Sequence, residues 1–191
     1  MNVGVIGQAV VLFAVTNIDD ILILALFFAH GTGRRATRDI ALGQYLGFAG
    51  ILALAIAAAL GATFLPDAAI PYLGLLPLAL GVKAAIQLWR HRDDTPAATS
   101  PTILAVATVT FANGGDNIGV YVPVFATAGM STAIYVAVFL ALVAVWVAAG
   151  RYLATRPTIA KGLSRWGHIL LPIVLIALGL LILIEGGAFG L

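Results

Sequence analysis

The chain has 191 residues, of which 62% are hydrophobic and only 9% are charged. A soluble domain carries about 25% charged residues, so there is too little polar surface here to face water, and the composition reads as an integral membrane protein. The net charge of +2 gives no footing for nucleic acid, and the absence of cysteine removes disulfides, a thiol nucleophile and thiolate metal ligands.

A bilayer core asks for about 20 apolar residues per helix. Six segments meet that length: Val3–Phe28, Ile40–Phe64, Ala69–Trp89, Thr102–Ala126, Thr132–Tyr152 and His168–Ile184. The start has no basic region and no small-residue cleavage site, so the first segment is expected to stay as a span. Three polar connections, 29–39, 90–100 and 153–167, alternate with two short ones, 65–68 and 127–131. Arg34, Arg35, Arg38, Arg90, Arg92, Arg151, Arg156, Lys161 and Arg165 all fall on one side of a six-span layout, and Lys83 is expected to snorkel to it. Asp67 and Glu185 fall on the other side. Positive-inside logic makes the basic loops cytoplasmic and puts both termini outside.

The segment "RHRDDTPAATS" divides a single domain, residues 1–191, into repeat one (1–89) and repeat two (101–191), with 90–100 as a cytoplasmic linker. Three spans per half insert the second half upside down relative to the first. The predicted fold is therefore an all-α membrane protein of six transmembrane helices in two inverted three-helix repeats. One internal match supports it: "FAVTNIDDI" (Phe13–Ile21) and "FANGGDNIG" (Phe111–Gly119) each lie in the first span of their half. Aligning Asn17 with Asn113 puts Asp20 on Asp116. Gly114 and Gly115 weaken the helix before Asp116, so the first and fourth helices are predicted to be discontinuous.

A carboxylate near the centre of a spanning helix costs about 2.5–3.5 kcal/mol. Asp19, Asp20 and Asp116 left charged and facing lipid would together cost on the order of 8–10 kcal/mol, against a whole-domain stability of about 5–15 kcal/mol. No Lys or Arg is expected at matching depth, so a cationic ligand is the compensating charge. Asn17 and Asp20 share a helix face, as do Asn113, Asp116 and Asn117. Carboxylates, carboxamides and exposed backbone carbonyls make an all-oxygen cation site. The candidate metal ligands are Asn17, Asp19, Asp20, Asn113, Asp116 and Asn117. The competing interpretation is interhelical hydrogen bonding, with the glycines as packing notches.

Further candidates line the transport pathway: Thr16, Gln44 and Tyr45 in "GQYLGF", Gly114, Gly115, Tyr121 and His168. Gly43 and Gly47 can also form a packing face, Pro77 is expected to kink the third span, and an interfacial histidine needs no special role. No phosphate-cradling glycine loop followed by Lys-Ser/Thr is found, so direct ATP coupling by this chain is not expected.

The sequence resembles the cadmium resistance transporters of the CadD type, within the LysE superfamily of small exporters. The resemblance spans essentially the whole chain and rests on "TNIDDILIL", "GQYLGF", "LGLLPLALGVKA", "FANGGDNIGVYVP" and "GHILLPIVLIALG". It implies a multi-pass exporter of divalent heavy metal in the bacterial inner membrane, not an enzyme. Asp19, Asp20, Asn113, Asp116 and Asn117 fall within its functional motifs. Cadmium is the first cargo expected, with zinc and manganese as others, because an oxygen site discriminates poorly among them. Metal and protons compete for the same carboxylates, which makes proton antiport the economical energy source. Beyond metal, protons and lipid, the expected partner is a second copy in a homodimer, and no cofactor is expected. The alternatives are an amino-acid exporter of the same superfamily and, remotely, an intramembrane aspartic protease, whose Gly-x-Gly-Asp pattern is broken by Asn113.

Overall fold

The computed structural model describes residues 3–31, 33–62, 64–89, 101–156, 158, 172–173 and 175–188. The linker expected at 90–100 and the pathway candidate His168 lie outside them. Among the described residues every regular element is helical. In chain order they are α1 (Val3–Thr16), α2 (Ile18–His30), α3 (Gly33–Ala62), α4 (Leu75–Trp89), α5 (Ile103–Asn113), α6 (Gly115–Ala128) and α7 (Thr132–Leu153). A further apolar helix, α8, covers Leu175–Glu185. Short 3₁₀ segments, Asp67–Gly74 and Gly129–Ser131, lead into α4 and α7.

Two stretches are long and apolar enough to cross a membrane, Gly33–Ala62 and Gly115–Leu153, and α1 with α2 makes a third if the bent pair is one span. The Gly115–Leu153 stretch reverses at Gly129, whose φ of +54° suits a residue without a Cβ. Across that reversal Tyr121 meets Phe139 at 4.8 Å between ring centroids, and Phe125 meets Tyr135 at 6.2 Å. α6 and α7 therefore lie side by side as an antiparallel pair. Pro77 sits in the first turn of α4, where the missing N–H costs no helical bond. The change of helix type falls at Gly74–Leu75, within one turn of Pro77.

Two breaks organise the molecule. α1 and α2 meet at Asn17 with a bend of 56°. α5 and α6 meet at Gly114. Each broken pair packs on the unbroken helix of the other half of the chain: α1 and α2 on α7, α5 and α6 on α3. Glycines allow the close approach. A Cβ at Gly47 would stand 2.6 Å from the Ala107 carbonyl oxygen, and one at Gly43 would stand 2.6 Å from Val106 Cβ. Gly150 does the same for α7 on α2, against Leu24. The core between these pairs is aromatic: Phe13, Phe48, Tyr121, Phe125, Tyr135 and Phe139 form one buried cluster, with the Trp146 ring edge-on to Phe13 at 5.0 Å.

Candidate functional site

The first break is made by side chains. Asn17 Nδ2 donates to the Phe13 carbonyl (2.9 Å), to Thr16 Oγ1 (2.9 Å) and to the Tyr121 hydroxyl (2.8 Å). An asparagine that bonds back to its own turn offers the chain an alternative to continuing the helix. The Asn17 carbonyl accepts a 2.6 Å hydrogen bond from Trp146 Nε1, which ties the elbow to α7. At the second break Gly114 packs against Ile51 so closely that any Cβ would collide with it. That packing favours glycine there, since a Cβ would force the Ile51 side chain to move.

The two breaks are locally alike when Asn17 is set against Gly114, one residue from the alignment expected above, although the 56° bend belongs to the first and the Gly114 carbonyl still accepts from Ile118 N–H at 3.0 Å. Asn17 N–H donates to Phe13 O and Gly114 N–H to Thr110 O, both at 3.0 Å. Asn17 (φ −116°, ψ 20°) and Gly114 (φ −79°, ψ 17°) precede the new helix in each case. The second residue of that helix is then Asp19 in one copy and Asp116 in the other. Each accepts from the next backbone N–H, Asp20 N at 3.1 Å and Asn117 N at 3.0 Å. Asp116 is thus the counterpart of Asp19, and Asn117 the counterpart of Asp20. The Asn-x-x-Asp alignment instead sets Asn113, a helix end, against Asn17, a break. Both acids lie in the first turn of a helix, where the helix dipole favours negative charge.

The side chains converge between the breaks. Asn113 Nδ2 donates to Asp19 Oδ2 at 2.9 Å and to Asp20 Oδ1 at 3.0 Å, so one amide nitrogen bridges two carboxylates. Gln44 Nε2 donates to Asp20 Oδ2 at 3.1 Å, and Thr110 Oγ1 donates to Gln44 Oε1 at 2.7 Å. Asn117 Nδ2 donates to Asn17 Oδ1 at 3.0 Å, while Asn117 Oδ1 is buried without a hydrogen-bond partner. Thr16, Asn17, Asp20, Gln44, Thr110, Asn117 and Tyr121 are all buried; Asp19, Asn113 and Asp116 are partly so.

The structure thus gathers the candidates into two hydrogen-bonded groups at the breaks, Thr16, Asn17, Asn117 and Tyr121 in one and Asp19, Asp20, Gln44 and Asn113 in the other, with Asp116 bonded to the Asn117 backbone. Tyr45 stands apart: its hydroxyl donates to the Leu140 carbonyl at 3.0 Å. Gly43 and Gly47 serve packing, while Gln44, between them, reaches the carboxylates. Thr110 and Trp146 were not singled out from the sequence. Thr110 carried one signal, a hydroxyl in the same apolar span as "NGGDN"; Trp146 carried none.

Carboxylates alone do not make a metal site here: among the described residues no three His, Cys, Asp or Glu side chains group to hold a metal ion. Any cation bound at the cluster depends on the carboxamides as well. Leu80 fills the notch at Gly119, which lays α4 along α6, and the Lys83 ammonium acts electrostatically on the Asp116 carboxylate. A cavity of about 600 Å³ opens elsewhere, among α1, α6, α7 and α8, lined in part by Gln8, Thr127, Tyr135 and Glu185.

A protein-family model, Cadmium resistance transporter, matches residues 13–191 and so takes in both breaks and the whole cluster. Comparison with curated proteins and with solved structures returns no match.

Proposed function

The chain belongs to the cadmium resistance transporter family, and from that membership and the buried cluster we propose that it exports a divalent heavy metal across the bacterial inner membrane. Cadmium is the first cargo, with zinc and manganese accepted by the same oxygen ligands. The observation that carries this reading is the Asn113 amide nitrogen, held at 2.9 and 3.0 Å between two carboxylates. It is a partial positive charge in the position a metal ion would take. Turning the Asn113 amide over replaces that nitrogen with an oxygen and converts a hydrogen-bonded cluster into a cation site.

The ligand set is Asp19, Asp20 and Asp116 with the carboxamide oxygens of Asn17, Asn113 and Asn117. The orphan Asn117 Oδ1 supports its inclusion, because a buried oxygen without a donor costs about 1–3 kcal/mol. Gln44 and Thr110 orient Asp20, and Tyr121 and Thr16 hold the first elbow. The architecture we propose is six spans in two inverted three-helix repeats, with basic loops cytoplasmic and both termini outside. The locally similar breaks and the crossed packing of each broken pair support it.

Protons drive the cycle in this reading. A ligand carboxylate must be deprotonated to bind metal, so lowering the pH weakens metal binding and raising it strengthens binding. A proton arriving from outside would release the metal there, and its loss to the cytoplasm would restore the site. The test is labelled Cd²⁺ flux in proteoliposomes of the purified protein under an imposed pH gradient. The reading predicts flux that follows the gradient and metal-dependent proton movement in the opposite sense; flux indifferent to the gradient would remove proton antiport, and no flux would remove the transport assignment.

A further inference from the structure

The charge around the cluster is not set by aspartates alone. Lys83 is exposed on α4, one turn beyond Leu80, whose side chain occupies the Gly119 notch on α6. Asp116 lies one turn back from Gly119. The 3₁₀ segment that precedes α4 also packs on α6, so α4 runs antiparallel to α6, and Lys83 and Asp116, each one turn from the Leu80–Gly119 contact, fall on the same side of it. The electrostatic interaction of the pair fits that placement, and Asp116 feels the charge of Asp19 as well. The other described basic residues, Arg34, Arg35, Arg38, Arg151 and Arg156, lie near the start of α3 or at the end of α7, far along the chain from either break.

Three ionised carboxylates, Asp19, Asp20 and Asp116, and one ammonium, Lys83, leave two net negative charges. We propose that Lys83 is a specificity-determining residue: seated beside Asp116 through the Leu80–Gly119 contact, it sets the site's charge to match a divalent cation and to disfavour a trivalent one. A fixed positive charge repels any incoming cation in proportion to that cation's charge. It therefore penalises a trivalent ion more than a divalent ion of similar size. Lys83 need not touch the metal, and its exposed position leaves room to adjust. Lys83 thus works from outside the ligand set, and this assignment rests on the metal-site reading above.

The experiment compares wild type, Lys83→Met and Lys83→Arg, purified in detergent. Tb³⁺ binding is read from its luminescence and Cd²⁺ binding from its displacement of Tb³⁺. Lys83→Met is expected to bind both ions more tightly, Tb³⁺ by the larger factor, with the Tb³⁺/Cd²⁺ affinity ratio rising about tenfold, the scale of one removed unit charge at an effective dielectric near 20. Lys83→Arg is expected to keep the wild-type ratio. An unchanged ratio in Lys83→Met, or an equal loss of both affinities, would overturn the assignment. Should Lys83→Met not be recovered folded, Lys83→Gln removes the same charge and is judged by the same ratio. Wild type that binds neither ion overturns the metal-site reading and this assignment with it; wild type that binds both, with a ratio indifferent to Lys83, overturns this assignment alone.

Discussion

Substituting Asp20→Asn separates a metal-binding role for the cluster from a purely structural one. In the native cluster Asp20 accepts from Asn113 on one oxygen (3.0 Å) and from Gln44 on the other (3.1 Å). An asparagine of the same shape presents an amide nitrogen to one of those donors. Gln44 relieves the conflict by turning its own amide over. Its oxygen then accepts from the new asparagine, and its nitrogen faces Thr110 Oγ1, a hydroxyl able to accept as well as donate. The hydrogen-bond count survives, so the folding cost stays near about 1 kcal/mol, the net worth of one such bond. Metal binding fares differently. Removing one member of a buried charge pair costs about 3–5 kcal/mol, and each 1.4 kcal/mol is tenfold in Kd. Asp20→Asn is therefore expected to weaken Cd²⁺ binding by roughly a hundredfold to several thousandfold, while Tm without metal moves by only a few degrees. Isothermal titration with Cd²⁺ and a thermal melt followed by circular dichroism measure the two quantities. A variant that keeps its fold and binds Cd²⁺ within a few-fold of wild type would refute the role of Asp20 as a ligand.

Gly47→Ala puts a Cβ 2.6 Å from the Ala107 carbonyl and 2.7 Å from Thr110 Cβ, so α3 and α5 must part, at about 1–3 kcal/mol. Its control is Gly61→Ala, with nothing within 4 Å of the new Cβ, which is expected to stabilise α3 by about 0.5–1 kcal/mol; thermal melts of the pair check both. Trp146→Phe keeps a ring near Phe13 but loses the 2.6 Å bond to the Asn17 carbonyl, and is expected to cost about 1 kcal/mol in the same melts. Excess Zn²⁺ or Mn²⁺ is expected to inhibit labelled Cd²⁺ flux, since all three suit oxygen ligands; flux untouched by either ion would contradict an oxygen-only site.

Much of this was legible because charge in hydrocarbon is expensive. "TNIDD" and "NGGDN" marked two places where the chain had to gain something for burying carboxylates, and those places are the two helix breaks. Gln44 was legible for the same reason, as a carboxamide in an apolar run. The pairing between copies was not. Asparagine occurs in both motifs, and spacing alone cannot tell one that ends a helix (Asn113) from one that breaks it (Asn17). The local backbone pattern sets Asp19 beside Asp116 instead, each accepting from the next N–H. Trp146 was silent because its indole ring reads as hydrophobic while its N–H acts as a hydrogen-bond donor. The approach of Lys83 to Asp116 was silent because it depends on the Leu80–Gly119 contact between two helices, which no single helix encodes.

The central claim is that a metal ion takes the place of the Asn113 amide nitrogen between Asp19 and Asp20. Anomalous scattering from crystals of the protein loaded with Cd²⁺ tests it directly. The account predicts one strong peak within coordination distance of Asp19 and Asp20, with the Asn113 amide turned to present its oxygen. A peak confined to the cavity beside Glu185, with Asn113 still donating to both carboxylates, would contradict it.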